Sequence, residues 1–285
     1  MYKINPDRAN GKLLYTNFMI TAIDIGGTKT LIAQFGDDGV MQQPVRFLTP
    51  QDPEEFLREL DARLSGLGSV TSIVVGVAGR ASGGVVSGGL NLQQWEGFEL
   101  VKRLQETFKC PVGIENDGNL AALAEINALS PAPKVGLYLT ISTGIGSGLV
   151  VNGELAPLLS RHSYGHMVFK HEGSWRTWES FASGKAMAKS LGKLAGEITD
   201  PAEWNWIAEQ IAVGLVAVIH PVAPEVIVFG GSVGGFLEHY RKPLEAILQE
   251  RLSNPSLMPT LAAAHHPDKA VLYGCYHHAT HRLAQ

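Results

Sequence analysis

Apolar and polar positions along this chain follow two rhythms, and both recur. Residues 18–25 and 30–35 are almost continuously apolar and rich in β-branched side chains, as in buried strands. Between them stand Gly26 and Gly27, so the pattern predicts a hairpin, Phe18–Ile25 and Thr30–Phe35, with a glycine tip. Val40–Leu48 predicts a weaker third strand. Pro53–Leu64 changes to helical spacing, with Phe56, Leu57, Leu60 and Leu64 on one face and Gly66 past the end. Ser72–Val77 predicts a buried strand, Leu100–Phe108 a helix and Val112–Glu115 a short strand. A helix then opens at Asn116-Asp117 and runs to about Leu129. Residues 1–17 read as a lead-in without a clear pattern.

The pattern then restarts. Val135–Ser142 predicts a strand, residues 143–148 a glycine turn and Leu149–Val151 a second strand. Helices follow near Thr177–Leu194 and Pro201–His220, then a strand, Val226–Phe229, ending at Gly230-Gly231. Phe236–Leu252 and Ala270–Leu283 complete the chain as helices, the last able to return to the first half. Alternating strands and helices in both halves indicate an α/β protein, and the doubled hairpin indicates a distant duplication. No apolar run approaches the ~18 residues of a membrane span; the richest is Ile211–Ile219.

Composition narrows the classes. The chain has 285 residues, enough for about two domains. Apolar residues make up 45% and charged residues 18%, which fits a globular chain. The two cysteines, Cys110 and Cys275, are too few for a disulfide framework or a Cys-rich metal site. Both read as inert core residues, and His277, His278 and His281 as solvated surface of the last helix. The net charge of −4 is spread along the chain without a basic arm or stripe, which excludes nucleic acid as a partner. With no signal-peptide core, the expectation is a cytoplasmic protein with no membrane partner.

The candidate chemistry sits at strand ends. Asp24, Gly26, Gly27, Thr28 and Lys29 form one cluster, whose paired glycines allow backbone N–H groups to turn around an anion. Beside phosphates, Asp24 would hold Mg²⁺ through water. Ser142–Gly148, with Thr143, Gly144 and Gly146, is a second such turn, and Gly230, Gly231 and Ser232 a third. Each reads equally as a plain structural turn. Asp117 at a helix start reads as an N-cap, or as a carboxylate that takes a proton from a substrate hydroxyl held by Asn116.

Taken in order, eight segments resemble the ROK family of sugar kinases, of the actin-like ATPase superfamily. They are 24–30, Gly76–Arg80, Asn91–Gly97, Glu115–Glu125, Ser142–Gly148 with Asn152-Gly153, Gly165-His166-Met167, Glu179–Gly184 and Phe229–Ser232. The resemblance implies an actin-like, ribonuclease H-like fold of two α/β domains around a central cleft. The first would hold residues 1–118 and about 269–285, the second 119–268. It implies ATP and Mg²⁺, a hexose or N-acetylhexosamine phosphorylated at its 6-OH, and a homodimer. Asp117 corresponds to the family's base and Asn116 to its neighbour on the sugar. Gly79, Arg80, Asn91, His166 and Glu179 correspond to further sugar contacts. Asp24 and the glycine turns correspond to the metal–ATP cradle.

The chain departs from the family twice. The family's zinc-binding cysteines, expected just after Gly165-His166, are missing, so zinc is not expected; the interval reads His171–Trp178. Trp175 and Trp178 stand there instead and are expected to replace the metal by burial. The family's glutamate three residues before the histidine is Ser163 here, leaving Arg161, His162 or Tyr164 as substitutes and the choice of sugar open. The competing readings are a non-catalytic sugar sensor, an actin-like ATPase without a sugar, and a kinase using polyphosphate as donor.

Overall fold

The structure, a computed structural model, describes residues 3–4, 19–66, 70–87, 92–156 and 163–283, with backbone alone at 3–4, 80–82 and 282–283. Most of the lead-in therefore lies outside the described residues. The chain divides into two compact units. One holds residues 5–124 and 268–285, the other 1–4 and 125–267.

In the first unit, five strands pair in the order Val45–Leu48, Lys29–Phe35, Ile20–Ile25, Ser72–Val77, Val112–Asn116. The first three are antiparallel neighbours and the last three parallel ones. One face of this sheet buries Phe56, Leu60, Leu64, Trp95, Leu100 and Leu104. The other face carries the helix Ala270–Leu283, whose Leu272, Cys275 and Ala279 pack with Leu120 against Ile20, Ala22 and Val74. That helix sits close because Gly274 lies against the backbone of Leu120. A Cβ at residue 274 would come within 1.9 Å of the Leu120 carbonyl oxygen.

The second unit repeats the scheme. Its strands pair in the order Glu154–Leu155, Ile145–Val151, Val135–Ile141, Val226–Gly230, Thr260–Ala263, again antiparallel and then parallel. Its core is built by Leu137, Leu139, Ile141, Phe229 and Tyr240 with the helix Pro201–Val222. This helix is long and apolar enough to cross a membrane, but half of its span is buried. Trp204, Ile207, Ile211, Leu215 and Ile219 all face the core, as in the central helix of a globular unit.

Several elements differ from expectation. The third strand shortens to Val45–Leu48, and Val40 is exposed. The second half of the restarted hairpin is longer than expected. It begins at Ile145, directly after the turn, so Gly146 lies inside a strand and not in the loop. There it pairs with Thr140, and a Cβ at residue 146 would approach Thr140 Cγ2 to 2.7 Å, so the glycine serves the close strand pairing. The helix expected over Thr177–Leu194 is a strand, Ser174–Thr177, followed by two short helices, Glu179–Ala182 and Gly184–Leu191. Ser183 breaks them: its backbone is extended, and its hydroxyl accepts from Ala186 N, capping the second helix. A hairpin, Val168–His171 with Ser174–Thr177, had no clear signal in the apolar pattern.

Candidate active site

Within the first unit the glycine tip joins Ile20–Ile25 to Lys29–Phe35, and Gly26 N donates to Lys29 O. Thr49, which the sequence did not single out, pins this tip. Its hydroxyl donates to Gly26 O at 2.7 Å and lies 2.9 Å from the hydroxyl of Thr30, and its N–H donates to Thr28 O. Thr28 and Lys29 are exposed. Asp24 precedes the tip near the end of the central strand. Its pKa is pushed up to about 7, first by burial and then by the like charge of Asp117. No cation offsets these two effects among the described residues, so a divalent cation suits the position electrostatically.

Asp117 opens the helix Asp117–Asn127, but it is not the N-cap. Asn116 is: its Oδ1 accepts from Asn119 N at 3.2 Å. The capping role assigned to Asp117 from its position thus belongs to its neighbour, and the Asp117 carboxylate is left for other work. Burial raises its pKa, opposed by hydrogen bonds from Gly118 N and the Asn116 side chain. The Asn116 amide also donates to Gly79 O at 2.9 Å, tying the segment after Ser72–Val77 to this helix start. Gly79 has a φ of 146°, a backbone that glycine accepts most readily. Glu115, also not singled out, braces the corner by accepting from Asn116 N and Asn119 Nδ2. Cys275 lies fully buried behind the strand, its thiol pKa raised by burial and then by Asp24.

Within the second unit, three expected segments meet. The tight turn is Ser142–Gly144, with Ser142 N donating to Gly144 O. Ser142 O accepts from Lys185 N at the start of the helix Gly184–Leu191. A Cβ on Gly184 would crowd Ser142 O at 2.8 Å and Ser232 Oγ at 3.3 Å. Gly231, at φ +80°, lies against the backbone of Ile141. Thr143, Gly144, Gly230, Gly231 and Ser232 are therefore one cluster, joined by Gly184, which the sequence reading had placed only within a longer motif.

Glu179 touches the same turn. Its Oε2 accepts from Ile145 N at 3.3 Å, and its Oε1 lies 3.5 Å from His166 Nε2. His166 is the more open partner, with 63% of its side chain exposed against 32% for Glu179. Ser163 faces the protein: its hydroxyl donates to Ile145 O, and Tyr164 N donates to Ser147 Oγ. The segment is pressed so tightly on the strand Ile145–Val151 that a Cβ at Gly165 would lie 2.3 Å from Ile145 O. Asn91, Arg161 and His162 lie outside the described residues, as does the side chain of Arg80.

The donor set does not fit a structural zinc. Both cysteines belong to the first unit, and no group of three or more His, Cys, Asp or Glu able to hold a metal occurs among the described residues. Of the two tryptophans expected to replace it, only Trp178 is buried, at 0% exposure. Trp175 is 74% exposed, because the hairpin register turns it outward opposite Lys170.

A family model described as ROK family matches residues 20–281. An N-acetylmannosamine kinase of Escherichia coli (strain SE11) is 31% identical over 284 residues, covering 89% of this chain and 95% of that protein. A fructokinase of Zymomonas mobilis subsp. mobilis (strain ATCC 31821 / ZM4 / CP4) is 35% identical over 155 residues, 49% of this chain and 51% of its own. The crystal structure of a ROK family protein from Streptococcus pneumoniae TIGR4 in complex with sucrose has a TM-score of 0.80 at 26% identity, covering 94% of this chain and 100% of that one.

Proposed function

The chain belongs to the ROK family, and from that premise we propose that it is an ATP-dependent sugar kinase acting on the 6-OH of a hexose or N-acetylhexosamine. The observation that carries the reading is the corner at Asn116-Asp117. A helix start normally occupies its first polar side chain with capping, and here Asn116 takes that task. Asp117 is left as a crowded carboxylate with a raised pKa, the condition of a general base. Relatives named N-acetylmannosamine kinase and fructokinase support a sugar as acceptor.

In this reading Asp117, ionised, accepts the proton of the sugar hydroxyl as its oxygen attacks the terminal phosphorus of ATP, and the bond from that phosphorus to the bridging oxygen breaks, so that ADP leaves with the electron pair. Asp24 would be the residue that holds Mg²⁺ through water, and the ion would supply charge neutralisation to the phosphates. The tip at Gly26–Lys29 and the cluster of Thr143, Gly144, Gly230, Gly231 and Ser232 receive the nucleotide. Gly79, Arg80, Asn91, Asn116, His166 and Glu179 orient the sugar. The catalytic gain comes from positioning and from excluding water as a competing acceptor. The reading further expects a homodimer in the cytoplasm, which sedimentation and cell fractionation would test.

The test is ADP release across a panel of hexoses and N-acetylhexosamines, with ATP and polyphosphate as donors. Sugar-dependent turnover that disappears in Asp117→Asn is expected; no turnover with any sugar refutes the reading. One observation favours a second reading, a sugar sensor without turnover. The turn that carries a carboxylate in the family offers Ser163, whose hydroxyl is engaged by Ile145 O. Sugar binding in calorimetry without turnover would select it.

A further inference from the structure

The hairpin after His166 lacks the cysteines that hold zinc in the family, yet its inward side chains Phe169 and His171 are both tied down. Phe169 and His171 point to one face of the hairpin, and both meet Phe181. Phe169 packs edge-on at 6.4 Å between ring centroids, and His171 stacks at 3.9 Å with planes only 7° apart. Phe181 belongs to the four-residue helix that Glu179 begins. From the other side the long helix Pro201–Val222 reaches in through Gln210, a buried polar residue. Gln210 Oε1 lies 2.9 Å from His171 Nε2, and Gln210 O accepts from the Trp178 indole N–H at 3.2 Å. The Trp178 ring covers Gly214 one turn further along, where a Cβ would collide at 2.1 Å.

We propose that this clasp of Gln210, His171, Phe181 and Trp178 replaces zinc in the lobe, and that Gln210 and Trp178 are positioning residues for Glu179. The inference rests on the sugar-kinase reading for its kinetic part. Trp178 directly precedes Glu179, and Phe181 is two residues beyond it, so the clasp brackets the carboxylate on both sides. Glu179 in turn touches both Ile145 N, beside the Ser142–Gly144 turn, and His166. A zinc site would hold such a segment through four strong bonds. Here the same task falls to two hydrogen bonds at Gln210, one stacked pair and one indole set into a glycine notch, none of which needs cysteine. With the amide oxygen of Gln210 facing His171, the contact is made by the tautomer that carries its proton on Nε2.

The experiment uses the full chain. Gln210→Leu removes the acceptor for His171 and keeps the volume apolar; Gln210→Glu restores an acceptor. In Gln210→Leu, amide exchange over the hairpin 168–177 should accelerate. The KM for the sugar should rise about tenfold, the scale of one net hydrogen bond, with the KM for ATP changed less than about threefold. Gln210→Glu should recover most of both. Elemental analysis of wild type should find far less than one zinc per chain, before and after incubation with zinc. If Gln210→Leu fails to fold, Trp178→Phe carries the same expectation, since it removes only the indole part of the contact. Stoichiometric zinc would overturn the proposal, as would unchanged hairpin exchange in the variants. A lowered melting temperature with both KM values and kcat changed alike would reduce the clasp to a structural role and overturn the positioning claim. If wild type turns over no sugar, the kinase reading and the positioning role fall together. The exchange and zinc measurements would still decide the clasp.

Discussion

Asp24 stabilises this fold only while it is protonated, and that gives a prediction with a definite sign. Its pKa stands near 7 against an ordinary 3.8, raised first by burial and then by Asp117. The folded chain therefore holds the Asp24 proton more tightly than the unfolded chain does. The associated stability is complete below the unfolded value, falls between 3.8 and about 7, and is lost above that. At ~1.4 kcal/mol per pKa unit the loss has a ceiling of ~4 kcal/mol, and coupling to Asp117 makes ~2 kcal/mol a fair lower figure. Asp24→Asn keeps the shape and removes the titration. Without ligands, the variant should match wild type near about pH 4 and become more stable as pH rises, by ~2–4 kcal/mol at about pH 8. That corresponds to roughly 5–15 °C in melting temperature for a chain of this size. Melting curves of both proteins at half-unit pH steps measure it, and the difference between them cancels the carboxylates that do not interact with Asp24, leaving Asp24 and its coupling to Asp117. A difference that is flat with pH would refute the reasoning. So would an Asp24→Asn protein that is the less stable one at pH 8, since Asp24 would then be favoured in its charged form. Adding Mg²⁺ with ATP should reverse the order, because only wild type can hold the cation there.

Other perturbations have equally direct readouts. Asp117→Asn should lower kcat by ~10²–10⁴-fold, the usual worth of a positioned base, with no loss of melting temperature at neutral pH, since it removes a carboxylate whose charged form burial disfavours. Because burial raises the Asp117 pKa, kcat/KM of the free enzyme should fall on the acid side at a higher pH than an ordinary carboxylate would give; a pH–rate profile with an acid limb near 4 would count against this. Thr49→Val removes the hydroxyl held by Gly26 O and Thr30, and should raise the KM for ATP by up to about tenfold while leaving the KM for sugar nearly unchanged. Gly274→Ala places a methyl 1.9 Å from Leu120 O, so the last helix must shift; a loss of more than ~3 kcal/mol by denaturant titration is expected.

What the sequence revealed and what it hid divide along physical lines. Long strands and helices were legible because burial imposes a period of two or about 3.6 over many residues, and the central strands of both five-stranded sheets are of that kind; the short edge strands Glu154–Leu155 and Thr260–Ala263 carried no such signal. The segment 168–194 was not legible, because its elements are four to eight residues long and are fixed by individual contacts. A hydroxyl cap at Ser183 and a glycine at residue 184 leave no periodic trace. The outward turn of Trp175 depends on hairpin register, and one residue of slip would have exchanged its face with that of His171. The candidate site shows the same division. Glycine turns and acidic strand ends stand out as residue types, so Asp24, Asp117 and the turn glycines could be picked out. Thr49, Glu115 and Gln210 could not, because a threonine, a glutamate and a glutamine are ordinary residues until a partner tens of residues away gives them a task. The departure at Ser163 was visible as a missing carboxylate, and the structure adds a cause for its tolerance. Ser163 donates to the backbone of Ile145, the residue whose N–H Glu179 receives. A short hydroxyl thus anchors the turn to the strand that Glu179 already braces, so the turn keeps its place without a carboxylate of its own.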